Sequence, residues 1–236
     1  SSGEPIAIPT AVVSGGDIAG RLISGGALPT LEERPERPLY VLNVTLDYAG
    51  GNVHAQQRIE FVNPTGQAIT EVKFNVPPAR RAGAVEFRDA RLFGQAEPLP
   101  FDLTDAVLTV QLPAPLPPDK AIAMTFDFTF KVPLQEVILG IGGDDTSRGP
   151  YSLTCGHWYV MLAPFRNGEW DTPAYVPIGD PYTSELADYQ VSILAPEGVI
   201  IAGGGDESRE GRLWRYALPK ARVFAFAASD VYVVDT

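Results

Sequence analysis

An all-β fold is predicted for this 236-residue chain by three observations. Apolar residues recur with a period of two from Leu39 onward, no window carries a 3.6-residue apolar repeat over ten or more positions, and 22 Pro with 23 Gly punctuate the sequence at close spacing. A hydrophobic content of 45% is enough for a core and contradicts wholesale disorder. One large β-unit is the simpler reading of the length, since sandwiches often exceed 200 residues as single units.

Residues 1–38 precede the alternating pattern. They hold two Ser-Gly-Gly elements, at 14–16 and 24–26, together with Pro5, Pro9, Pro29, Pro35 and Pro38, a composition that disfavours regular structure. The expectation is a flexible tether of the kind that holds an exported or surface-anchored domain away from a membrane; a cytoplasmic linker is the other reading. Ser1 is not preceded by Met or by a charged-then-apolar leader, which implies a removed leader or a chosen boundary. No stretch reaches the roughly 18 apolar residues of a membrane-spanning helix.

The first strand puts Leu42, Val44, Leu46 and Tyr48 on one face and Asn43, Thr45 and Asp47 on the other. Residues 49–52, with Gly50 and Gly51, reverse the chain into a second strand whose Val53, Ala55, Ile59 and Phe61 oppose His54, Gln56, Arg58 and Glu60. Asn63-Pro64-Thr65-Gly66 is a turn by its chemistry. A third strand carries Val72, Phe74 and Val76 and ends at Pro77-Pro78, because proline cannot donate to a ladder. Strands follow at 85–93 and 107–112. In 121–132 an unbroken apolar face of Ile122, Met124, Phe126, Phe128, Phe130 and Val132 predicts a central core strand. After a Gly-rich stretch at 140–150, strands resume at 189–194, 199–202, 212–217 and 223–228. Residues 151–188 between them are aromatic and irregular, and a loop of that length is more often functional or interfacial than idle.

The chemistry this chain can carry is narrow. Its 18 Lys and Arg against 29 Asp and Glu give a formal charge of −11, which repels phosphate backbones and makes nucleic acid an unlikely partner. A catalytic zinc needs about three protein ligands, whereas the only imidazoles are His54, on a polar strand face, and His157, beside Trp158 and Tyr159. Cys155 lies two residues from His157 with no signature that pairs them, and a buried inert thiol is the better reading. Asp144-Asp145 and Asp180 lack the spacing of a calcium loop, and the glycines at 140–143 and 203–205 precede no phosphate-binding Lys. No catalytic or metal-binding residue is therefore assigned. The aromatic residues Trp158, Tyr159, Trp170, Tyr175 and Tyr182 point to a stacking platform, a buried domain interface or closure of a wide core.

Several pieces together resemble a known family. They are Gly156-His157-Trp158-Tyr159-Val160-Met161-Leu162-Ala163-Pro164, Gly179-Asp180-Pro181-Tyr182, Glu185-Leu186-Ala187-Asp188-Tyr189, Pro196-Glu197-Gly198, the Trp214 strand and Ala221-Arg222-Val223-Phe224-Ala225-Phe226-Ala227-Ala228-Ser229, with the opening Tyr40-Val41-Leu42-Asn43-Val44 and Ile59-Glu60-Phe61-Val62-Asn63. In order and spacing they resemble the N-terminal β-domain of the zinc aminopeptidase family that includes alanyl aminopeptidase and leukotriene hydrolase, bacterial members especially, over residues 39 to 234.

The resemblance implies a large antiparallel β-sandwich with a saddle-like extended sheet in residues 39–236. It would pack on a thermolysin-like catalytic domain, wall its substrate cleft and leave zinc and peptide hydrolysis to that domain, which would begin shortly after Thr236. No His-Glu-x-x-His occurs in the chain, so by itself it is expected to hydrolyse nothing and to need no cofactor. The family often has proline where Val160 stands and Asp where Val223 stands. Its amine-binding Gln or Glu is absent between Gly149 and Gly156, where Tyr151, Ser152 and Thr154 occur instead. The candidates for a substrate-cleft or domain-interface role are Tyr151, Thr154, His157, Trp158 and Tyr159. A free-standing carbohydrate- or peptide-binding module is the alternative from a different class, and a structural scaffold is a third.

Overall fold

The computed structural model describes residues 35–135, 146–174 and 183–233. Of the tether expected in residues 1–38, residues 1–34 lie outside the described residues, as do Asp144-Asp145, Tyr175 and Gly179-Asp180-Pro181-Tyr182. In chain order the strands are β1 (Leu39–Asp47), β2 (Asn52–Val62), β3 (Ile69–Asn75), β4 (Val85–Leu92), β5 (Phe101–Thr104), β6 (Val107–Leu116), β7 (Ala121–Lys131), β8 (Ser147–Arg148), β9 (Leu153–Cys155), β10 (Met161–Leu162), β11 (Phe165–Arg166), β12 (Glu169–Trp170), β13 (Ala187–Leu194), β14 (Ile200–Gly203), β15 (Asp206–Glu210), β16 (Leu213–Ala221) and β17 (Phe226–Ser229). Among the described residues the helical structure is one 3-10 turn, Pro77–Arg80, where the two prolines that end β3 supply the fixed φ such a turn needs.

A seven-stranded sheet in the order β15-β16-β13-β1-β2-β7-β4 dominates the fold. Its pairings are antiparallel except one: β1 runs parallel to β13, with Leu42 opposite Val191. The all-β architecture of large sheets expected from the sequence is what the structure shows, its largest sheet being mixed through this one pairing and the others antiparallel. Hairpins produce antiparallel neighbours, whereas β1 and β13 are brought together only after more than a hundred intervening residues. Two four-stranded sheets, β10-β3-β6-β5 and β14-β17-β9-β8, and the small β11-β12 hairpin complete the architecture.

The period-two pattern sets which face is buried. Tyr40, Leu42, Val44 and Leu46 of β1, Val53, Ala55, Ile59 and Phe61 of β2, and Met124, Phe126, Phe128 and Phe130 of β7 all face one core. Phe74 of β3 meets Phe126 edge-on at 5.0 Å, which seats one small sheet on the large one. Trp158 bridges the other, 6.2 Å from Phe130 and 5.4 Å from Phe226. β7 is paired on both flanks, by β2 and β4, and lies one strand in from the edge.

The β1–β2 turn shows how local chemistry fixes register. Gly51 takes φ 69°, which an L side chain resists. The Asp47 carboxylate accepts the Gly50 N–H at 2.9 Å and the Asn52 amide at 2.7 Å, and these bonds, the Gly50 N–H foremost, hold its pKa below the usual value. Asn63 closes the next turn, accepting the Thr65 N–H and donating to the Gln67 and Leu116 carbonyls.

Candidate domain interface

Residues 146–170 cross the core and reach the surface, so each candidate can be placed by what surrounds it. The segment is anchored by one polar side chain inside the apolar face of β2. Gln57 is 2% exposed, and its amide mimics a strand neighbour: Nε2 donates to the Val160 carbonyl at 2.6 Å and Oε1 accepts the Val160 N–H at 3.0 Å. A buried backbone stretch with no ladder partner is satisfied in this way. Gln57 was not singled out from the sequence. The signal was available, because it is the one polar residue in the stripe running from Val53 to Phe61.

Trp158 and Tyr159 flank that anchor and are wholly buried. The Trp158 indole donates to the Phe224 carbonyl at 3.1 Å. The Tyr159 hydroxyl donates to that of Tyr189 at 2.9 Å, which donates to the Arg222 carbonyl at 3.0 Å. Tyr40 stacks on Tyr189 with ring centroids 5.1 Å apart, and Tyr159 meets both rings edge-on. Burial pushes all three phenols up, Tyr189 to about 12, because the charged form loses its hydration. Trp158 and Tyr159 thus belong to the core. Core closure is the part of the aromatic pattern they explain.

The other three candidates lie nearer the surface. His157 is half-buried. Thr154 of β9 is half-buried and donates to the Ser147 carbonyl at 3.2 Å, tying β9 to β8. Tyr151 is 70% exposed, in the turn before β9, and its carbonyl accepts the Ser229 hydroxyl at 2.6 Å. Ser229 Oγ in turn accepts the Val231 N–H at 3.0 Å. Leu134 bridges to Arg148 of β8. Tyr151, in the turn between β8 and β9, and Thr154 of β9 therefore belong to one small sheet, with exposed Leu134 bridged to its β8 strand and exposed Val231 following its β17 strand. Trp170 sits apart, half-buried against Phe165 at 5.4 Å in the β11-β12 hairpin.

The surroundings of His54 do not suit a zinc centre. His54 lies on the polar face of β2 with Nε2 3.1 Å from Asp127 Oδ1, and the Arg88 guanidinium stands 3.2 Å from both atoms, where its charge opposes a metal cation. Among the described residues no cluster of three or more His, Cys, Asp or Glu is placed to hold a metal. Cys155 is buried in β9.

No protein-family model matches the chain, and no curated protein matches it. Solved structures do. The chain is similar to an M1 zinc metallopeptidase from Deinococcus radiodurans with a TM-score of 0.53 and 12% identity, over 82% of this chain and 41% of that one. A mutant M1 zinc metallopeptidase from the same organism bound to a Tyr-Ser-Ala substrate gives a TM-score of 0.53 at 12% identity, over 82% and 42%. A two-domain M1 zinc metallopeptidase mutant bound to L-arginine gives the same score and identity over 83% and 43%. This chain thus spans less than half the length of each, and what it shares with these M1 zinc metallopeptidases is the fold of one part of them.

Proposed function

We propose that the chain is the non-catalytic N-terminal domain of a zinc metallopeptidase of aminopeptidase type, one that packs on a downstream catalytic domain and walls its substrate cleft. One observation carries the reading: the fold match takes in 82% of this chain yet 41% of the peptidase it resembles, leaving most of such a protein to supply the chemistry. The exposed apolar side chains of Tyr151, Leu134 and Val231 on one small sheet support it, since apolar groups left at a surface are what a docking domain covers. In this reading zinc is held by the catalytic domain, the substrate is a peptide, and residues 1–38 tether a protein that works outside the cytoplasm or at the cell surface.

The test is to express the open reading frame with whatever follows codon 236. The expected product carries His-Glu-x-x-His, binds about one zinc per chain by elemental analysis and cleaves aminoacyl anilides, activity that chelation removes. Tyr151→Asp is expected to weaken packing of the two domains, lowering the melting temperature and raising KM. A frame that stops without the motif overturns the reading, as does zinc-dependent turnover by the 236-residue chain alone.

A further inference from the structure

Five asparagines occur in the chain, and the residue after each sets what its side chain can undergo. An asparagine amide can be attacked by the main-chain nitrogen of the following residue, which closes a five-membered imide. The attack needs a following N–H that is free and a following side chain too small to block the approach. Asn43, Asn52 and Asn75 precede branched valines, and Asn63 precedes Pro64, which has no N–H. Asn43 and Asn52 stand in strands paired on both flanks. Val76, after Asn75, gives its N–H to the Ala106 carbonyl at 2.7 Å, and Asn63 and Asn75 are themselves buried.

Asn167 differs on each count. With Gly168 it forms the two-residue turn from β11 to β12, at φ 54° and 88°, the primed hairpin turn that Asn-Gly favours. Both residues are exposed, and nothing beyond the chain neighbours lies within 4 Å of the space a side chain on Gly168 would fill. Among the described residues no hydrogen bond holds the Asn167 amide or the Gly168 N–H. Ring closure requires Asn167 to leave its left-handed conformation, so the hairpin must open first. β11 and β12 are two residues each and form a sheet of their own, and a hairpin that small opens locally at little cost.

We propose that Asn167-Gly168 is a self-modification site. The Gly168 nitrogen bonds to the Asn167 side-chain carbonyl carbon, the amide departs as ammonia with the proton that nitrogen gives up, and water then opens the imide. Opening at one carbonyl gives aspartate; opening at the other gives isoaspartate, whose main chain is one atom longer. Either product sets a carboxylate between exposed Glu169 and Arg166, whose guanidinium holds Glu185 at 3.0 Å and Asp171 at 3.8 Å. Isoaspartate also lengthens the two-residue loop and so loosens the edge-on pair of Phe165 and Trp170, 5.4 Å apart across the hairpin. This chemistry belongs to the chain whatever it is joined to.

The test ages the full 236-residue chain at pH 8 and 37 °C for about four weeks and maps its peptides by mass spectrometry against an unaged control. A gain of about 1 Da is expected in the peptide that holds Asn167, resolved into two products, at a rate about tenfold or more above that at Asn43, Asn52, Asn63 or Asn75. One product should accept a tritiated methyl group from S-adenosylmethionine through protein isoaspartyl methyltransferase, the mark of isoaspartate. Asn167→Gln, whose longer side chain would have to close a less favourable six-membered ring, should lose both signals. The proposal is overturned by an unaltered Asn167, by an equal gain at any other asparagine, or by a product without isoaspartate, which would mean direct hydrolysis of the amide. The map assigns the site in the unsubstituted chain, so the outcome stands even where Asn167→Gln fails to fold.

Discussion

Gln57 shows what a single side chain does in this core. Replaced by leucine, it would leave the Val160 N–H and C=O buried without partners, and each such group costs about 1–3 kcal/mol. Gln57→Leu is therefore expected to destabilise the protein by about 2–4 kcal/mol in urea unfolding, although the substitution adds apolar volume. The tyrosines give a second prediction at this scale. Tyr189 is raised to about 12 in the folded protein against an ordinary 10, so its neutral form favours the folded state. That contribution is complete below pH 10 and is lost as pH climbs toward 12, because the unfolded chain releases its proton first. Absorbance at 295 nm should show Tyr40, Tyr159, Tyr189 and Tyr216 ionising together only as the protein unfolds. Tyr189→Phe should shrink that phase. His54 was legible as a polar-face residue, whereas its pairing with Asp127 and Arg88 was not. Arg88 reaches them from a β4 bulge, between Phe87 opposite Phe128 and Asp89 opposite Asp127, that no local pattern announces.

At the scale of elements, strands with one buried face could be read from the sequence and others could not. β2 and β7 match their apolar stripes over eleven residues each. β15 escaped, because Asp206–Glu210 is exposed on both faces and carries no alternation. β5 is short and mostly exposed. The brief strands β9 to β12 occupy what read as an irregular aromatic segment, β8 falls in the Gly-rich stretch before it, and pairings to distant partners such as β17 and β3 set where β9 and β10 lie. What holds β15 is a turn rather than a core. Gly205 takes φ 95° with the Ala217 carbonyl against the position a Cβ would occupy. Gly205→Ala is expected to cost about 1–3 kcal/mol and to loosen β15 first, as faster amide exchange along 206–210.

Across the whole molecule, the large sheet buries one face and leaves the other polar, the commonest arrangement for largely antiparallel sheets. Candidate residues divided along the same line. Trp158 and Tyr159 drew notice by being aromatic, yet aromatic character alone does not separate a binding surface from a core. Tyr151 differs from them only in lying on a turn beyond the edge of the small sheet.

The parallel pairing of β1 with β13 has a consequence for biogenesis. During synthesis the hairpin partners of β1 emerge early, but its other margin stays open until more than 140 further residues have left the ribosome. Nascent chains must spend that interval with a long, sticky flank uncovered. A fragment stopped at residue 135 should accordingly elute as soluble aggregate in gel filtration while the intact chain does not. Shielding by a chaperone during translation would then govern yield more than the final stability does.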